Sequence, residues 1–167
     1  MTQKEQATGG RVLVAGAGEV LGALEAVRDR FMIDGAATEG RFALLQHLMP
    51  ANALAAPLHL HTNEDEFSFV LQGRVGARLG DEEVYGAPGD LIFKPRGQWH
   101  TFWNAGDEPA IVLEIISPGG FERAFREMHA LGEALDAQRM TEIAARYGCT
   151  ADFETTMSLI ERHGLSF

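Results

Sequence analysis

Cysteine is almost missing from this 167-residue chain: Cys149 stands alone, so an internal disulfide is excluded. Long apolar runs are missing too, since none approaches the ~20 residues that a membrane helix requires. The first ten residues are polar and carry no apolar stretch of the kind that drives secretion, so a cytoplasmic location is expected. Positive charge is scarce. Fourteen Lys and Arg against twenty-four Asp and Glu leave a net charge of −10, which argues against a nucleic-acid or membrane surface as partner. What remains is ordinary globular material. Hydrophobic residues make up 46% of the chain, and this length suits one domain that buries roughly 70% of its unfolded surface.

Near the N-terminus, Arg11–Val14 followed by Gly16, Gly18 and Gly22 reads as strand, glycine-rich turn and possible helix. Asp34 follows a second apolar run, Phe31-Met32-Ile33, where a ribose-binding acid would stand in a dinucleotide site. The spacing is G-x-G-x3-G, however, and the next element leaves no room for a nucleotide-binding sheet. The three glycines are therefore read as turn residues, and no dinucleotide cofactor is expected.

Two segments carry chemistry. The first is His59-Leu60-His61, four residues, Glu66, then six more to Gly73; the second is Gly89, five residues, Pro95-Arg96-Gly97, two residues, His100, then Asn104. In a strand, residues i and i+2 share a face about 6.7 Å apart. His59 and His61 therefore project together, close enough for both imidazoles to reach one ion at roughly 2.1 Å. The polar stretch Thr62–Asp65 reads as a turn that delivers Glu66 to the mouth of the next strand. Pro95 and Gly97 turn the chain into His100. Three nitrogens and one carboxylate oxygen suit a divalent transition metal, whether Fe, Mn, Ni, Cu, Co or Zn, and leave positions open for other ligands.

These spacings resemble the two motifs of the cupin superfamily, H-x-H-x4-E-x6-G and G-x5-P-x-G-x2-H-x3-N. The match is complete at every motif position, with fifteen residues between the two. The resemblance implies an all-β fold, the double-stranded β-helix or jelly-roll barrel, with one metal held by His59, His61, Glu66 and His100. Around the motifs, short runs with frequent turns predict strands at 41–49, 56–61, 66–72, 74–79, 82–86, 90–94, 99–104 and 109–117. Parity puts Pro57 with His59 and His61, Ser68 and Val70 with Glu66, and Gln98 and Phe102 with His100. In the last strand the apolar set Ile111, Leu113 and Ile115 is expected to face inward, rather than Val112, Glu114 and Ile116, which makes the pocket mainly apolar. Of Phe93, Trp99, Phe102 and Trp103, at least two are expected to be plain core. His47 precedes the motif and is a weak candidate for contact behind the metal ligands.

After Pro118-Gly119-Gly120 the period changes to helical. Phe121, Ala124, Phe125, Met128 and Leu131 form one stripe; further helices are expected over about 137–147 and 152–163, ended by Gly148 and Gly164. They are expected to pack on the outside of the barrel or on a partner subunit, with His129 and His163 on the surface. The expected organisation is an N-terminal tail and barrel-flanking segment (1–40), a cupin barrel (41–118) and a C-terminal helical extension (119–167).

A narrower resemblance lies in Thr38-Glu39-Gly40-Arg41-Phe42, in Leu113-Glu114-Ile115-Ile116-Ser117-Pro118-Gly119-Gly120-Phe121-Glu122 and in Ile143-Ala144-Ala145-Arg146-Tyr147-Gly148. These segments look like small single-domain cupins related to quercetin 2,3-dioxygenase. That resemblance implies a dioxygenase for a small aromatic or enolic, flavonol-like substrate, with Glu66 as the base on a substrate hydroxyl. The alternatives are a non-redox isomerase or lyase, and a small-molecule-binding cupin without catalysis. Exposed sheet edges and the habit of one-domain cupins make a homodimer the expected assembly.

Overall fold

The computed structural model describes residues 10–167; the expected tail at residues 1–9 lies outside them. Among the described residues, eleven strands form two antiparallel sheets. In chain order they are β1 (Glu19–Leu21), β2 (Arg28–Ile33), β3 (Ala43–Met49), β4 (Leu58–His61), β5 (Asp65–Gln72), β6 (Val75–Leu79), β7 (Glu82–Gly86), β8 (Leu91–Lys94), β9 (His100–Asn104), β10 (Ala110–Ser117) and β11 (Cys149–Asp152). One sheet runs β1-β2-β3-β10-β5-β8 and the other β11-β4-β9-β6-β7. Together they make the jelly-roll barrel of a double-stranded β-helix. The eight strands expected from the sequence correspond to β3 through β10.

Strict alternation builds the barrel wall. Along β3 and β10 every second residue is buried, which is the period-two signature of a sheet with one face on a core. Met49, Val70 and Val112 from one sheet meet Val75, Ala77 and Phe102 from the other and fill one end of the barrel. Of the four aromatics considered, Phe102 and Trp103 are buried, whereas Phe93 and Trp99 are largely exposed. Gly73 joins β5 to β6 at φ 81°, where a Cβ would lie 2.7 Å from that of Ala110, so no other residue fits that turn without displacement.

Three helices follow: α1 (Glu122–Leu131), α2 (Ala137–Arg146) and α3 (Phe153–His163). Asp136 and Asp152 accept the backbone N–H of Arg139 and Thr155, capping α2 and α3, while Gly164 ends α3 in the left-handed conformation. Phe121, Ala124, Ile143 and Ala144 from the helical segment pack on Ala43, Leu45 and Ile116 of the barrel. None of these helices is long and apolar enough to cross a membrane.

Two expectations are corrected here. The possible helix after Gly18 is instead the short strand β1, paired with β2, because β2 and β3 already offer an open sheet edge to it. Within β10 it is Val112, Glu114 and Ile116 that face the interior, all fully buried. Ile111, Leu113 and Ile115 face outward. The charge of Glu114 is accommodated inside because Ser68 and Lys94 meet it there, and this frees the apolar set for the outer surface.

Candidate metal centre

Strands β4, β5 and β9 bring the four motif side chains to one point. His59 lies directly opposite His100 in the pairing of β4 with β9. The loop before β9 is held in place by Gly97, whose N–H donates to the His61 carbonyl at 2.8 Å, and by a bidentate pair between Arg96 and Asp65. Asn104 closes the far turn: its Oδ1 accepts from the Gly106 N–H at 3.0 Å and its amide donates to the carbonyls of Pro50 and Glu108.

His59, His61, Glu66 and His100 are all buried, and one donor atom from each lies within 4.8 Å of the others. Hydrogen bonding selects which nitrogen faces the centre. The Nδ1 of His59 donates to the Pro57 carbonyl at 2.7 Å, and that of His100 to the Gln98 carbonyl at 2.9 Å, so each ring turns Nε2 toward the centre, where that of His100 lies 3.2 Å from Glu66 Oε2. The Nδ1 of His61 faces the buried Glu64 carboxylate at 3.3 Å, while its Nε2 faces Glu66 Oε1 at 3.3 Å. Neither nitrogen of His61 has a well-aligned hydrogen-bond partner, and at Nε2, which faces the cluster, this leaves a donor atom open to an ion. Phe121 closes the side of the cluster, its ring standing edge-on to His61 at 4.3 Å.

Electrostatics point the same way. Burial, reinforced by the neighbouring charges of His100 and His61, pushes His59 well below its ordinary range and keeps it a neutral donor. Burial also acts to lower His61, but the carboxylates of Glu66 and Glu64 outweigh it and raise the ring to about 9. A divalent cation at Nε2 would replace the proton there and meet Glu66, while Glu64 stays against Nδ1. Glu66 would be raised by burial alone. Lys94 and His61, with a hydrogen bond from His100, hold it well below the usual carboxylate range, so it is an anion at the centre of the cluster. The residues present thus fit a divalent transition metal in donor type, orientation of the imidazole nitrogens and charge.

Sequence reasoning missed Lys94, Glu64 and the depth of Glu114. Lys94 is fully buried, 2.9 Å from Glu66 Oε2 and 3.1 Å from Glu114 Oε1, and Ser68 donates to Glu114 Oε2 at 2.6 Å. The alternation of β8 hid it, because Leu91 and Phe93 are the apolar pair and yet face solvent. Behind Glu114 stands His47, whose Nε2 is 3.9 Å from that carboxylate and whose Nδ1 is 2.7 Å from Asp29. Asp29 in turn pairs with His129 at 2.8 Å. His129 and His163 are half-buried in ion pairs, with Asp29 and Glu83 respectively, rather than free on the surface.

Residues 45–116 match the Cupin domain family. Over 74 residues the chain is 33% identical to the tetracenomycin polyketide synthase protein TcmJ of Streptomyces glaucescens, a match covering 44% of this chain and 50% of that protein. The chain thus spans about half the length of the curated relative it matches. Among solved structures, KdgF from Halomonas sp. superposes with a TM-score of 0.59 at 16% identity, covering 69% of this chain and 99% of that one. A predicted oxalate decarboxylase from Thermotoga maritima gives 0.53 at 22% identity, covering 55% and 80%. The two-sheet barrel and the matched stretch give this chain the cupin fold, with the cluster of four donor side chains buried inside it.

Proposed function

We propose that this chain is a metal-dependent cupin enzyme, a dioxygenase for a small aromatic or enolic substrate of flavonol-like chemistry. The observation that carries the reading is the buried set of three imidazoles and one carboxylate with donor atoms within 4.8 Å. A divalent transition metal bound there would supply a Lewis acid and, if redox-active, a route for electrons to dioxygen. The chain's own groups do the rest. His59, His61 and His100 hold the ion, and Glu66, kept anionic, accepts the proton of a substrate hydroxyl. Phe121, with Phe125 edge-on behind it, walls the site against water. The likeness to a tetracenomycin polyketide synthase protein adds weight to a phenolic or enolic ligand, since polyketides carry both groups.

Elemental analysis of protein grown with Fe, Mn, Ni, Cu, Co or Zn, paired with oxygen uptake on flavonols, tests the proposal. About one equivalent of a redox metal with oxygen consumption supports it. Stoichiometric Zn without uptake moves the assignment to a non-redox isomerase or lyase, a reading favoured by the ionisable Lys94 and Glu114 beside Glu66. Absence of metal under every condition overturns the enzyme reading.

A homodimer belongs to the same proposal. The outer face of the six-stranded sheet presents Leu44 and Leu48, Ile111, Leu113 and Ile115, Phe67 and Phe69, and Leu91 and Phe93 on four neighbouring strands. A face of that composition is suited to a second copy of itself.

A further inference from the structure

Register delivers Lys94 and Glu114 to the same spot from opposite sides of β5. Lys94 pairs with Glu66, and Glu114 pairs with Ser68. The Lys94 ammonium is fully buried, lies against the two carboxylates, and sits 4.2 Å from the ring centroid of Phe102. Buried charges persist only where partners compensate them. Glu114, with its second oxygen held by Ser68, balances Lys94 charge for charge. Glu66, 2.9 Å from the same ammonium, is the second carboxylate on Lys94 and is the one that faces the imidazoles.

The two oxygens of Glu66 are not equivalent. Oε1 faces His61 Nε2 at 3.3 Å, whereas Oε2 is 2.9 Å from Lys94 and 3.2 Å from His100 Nε2. We infer that Lys94 is a positioning residue that occupies Oε2, so that Glu66 offers a single oxygen to a metal held by His59, His61 and His100. This rests on the metal-centre reading above. A one-oxygen carboxylate leaves one more coordination position for substrate than a chelating one. It also ties the base to the ammonium, which fixes its direction within the cavity. The second ion-pair partner, Glu114, is what makes a buried lysine tolerable at this place.

The test uses the full chain and Co(II) as the probe, titrated while visible absorption is followed. Lys94→Met and Lys94→Met/Glu114→Gln are compared with wild type, the double variant removing the carboxylate that the single one strands. With Lys94 gone, Glu66 is free to chelate. The expected result is a changed d–d envelope in both variants and, in the single variant, Co(II) affinity tightened on the order of tenfold by loss of the adjacent positive charge. In a Glu66→Gln background the spectral effect of Lys94→Met should vanish, because it acts through that carboxylate. A folded variant with the spectrum and affinity of wild type overturns the positioning role. Failure of the wild type itself to bind Co(II) is a separate result, and overturns the metal centre beneath it.

Discussion

His59 and His100 face each other across β4 and β9 with ring centroids 4.4 Å apart, each ring anchored at Nδ1 by a carbonyl two residues before it. The same i−2 anchor on two antiparallel strands turns both Nε2 atoms toward one point before any ion arrives. Such preorganisation makes the metal centre a property of the sheet rather than of a loop.

Replacing His100 with Ala should therefore remove most of the bound metal and leave the barrel folded. Metal content by elemental analysis and far-ultraviolet circular dichroism check this together. Full occupancy in the variant would remove His100 from the ligand set.

Glu66→Gln should retain a weakened metal site and lower turnover by roughly 10²–10⁴-fold, the usual worth of a positioned base. Steady-state rates on the best substrate from the oxygen-uptake screen provide the measurement. Turnover near that of wild type would assign the proton transfer to another group.

Metal itself should stabilise the fold. An ion that binds the native state and not the unfolded one adds about 2.7 kcal/mol at a concentration one hundred times its Kd. Thermal unfolding should rise with added metal and fall on chelation in wild type, and both responses should shrink in His61→Ala. An identical thermal response in that variant would place the ion elsewhere.

Asp29 makes stability depend on pH. Burial would raise its carboxyl, yet His47 and His129 pull it from 3.8 to about 2. Its contribution, about 2 kcal/mol, is fully present above pH ~4 and is lost as pH falls through about 2. His47 has the opposite sign. Burial acts to lower it, but Asp29 and Glu114 raise it above 6.5, so its contribution is fully present below 6.5 and fades as pH climbs through the higher folded value. The two shifts describe one interaction seen from both partners and do not add. In urea titrations Asp29→Asn should lose stability near neutrality and flatten the alkaline decline. A slope identical to wild type would remove the pair from the account.

Leu113, flanked by Gln46 and Phe69 on the outer face, is the natural probe of assembly. Leu113→Asp should shift the protein from dimer to monomer in light scattering while metal binding persists. A wild type that is already monomeric would refute the dimer.

Much of this was legible before the structure. The eight strands of the barrel follow from alternation and turn residues, and the helices after Gly120 from their stripe and their capping residues. The four-residue β11 was not legible, since Cys149-Thr150-Ala151-Asp152 has no alternation and is a strand only because β4 offers it an edge. Lys94 and Glu114 stayed hidden for a different reason. Parity finds which residues share a face but not which face is inside, and the usual tie-breaker, apolar inward, is reversed in β10 and β8, where Glu114 and Lys94 point inward. Asp29 and His129 come from segments distant in sequence, and no local pattern joins them to His47.

The pairing of β11 with β4 sets Cys149 opposite His61 and Ala151 opposite His59, and the Thr62 N–H is held by the Gly148 carbonyl. The strand bearing His59 and His61 is thus flanked on one side by residues made some ninety positions later. During synthesis the first motif leaves the ribosome early, and the β4 edge that β11 covers stays open until residues 149–152, between α2 and α3, arrive. Nascent chains halted after the barrel would present an open, ligand-bearing edge, which makes the C-terminal segment a guardian of assembly as well as a covering for it.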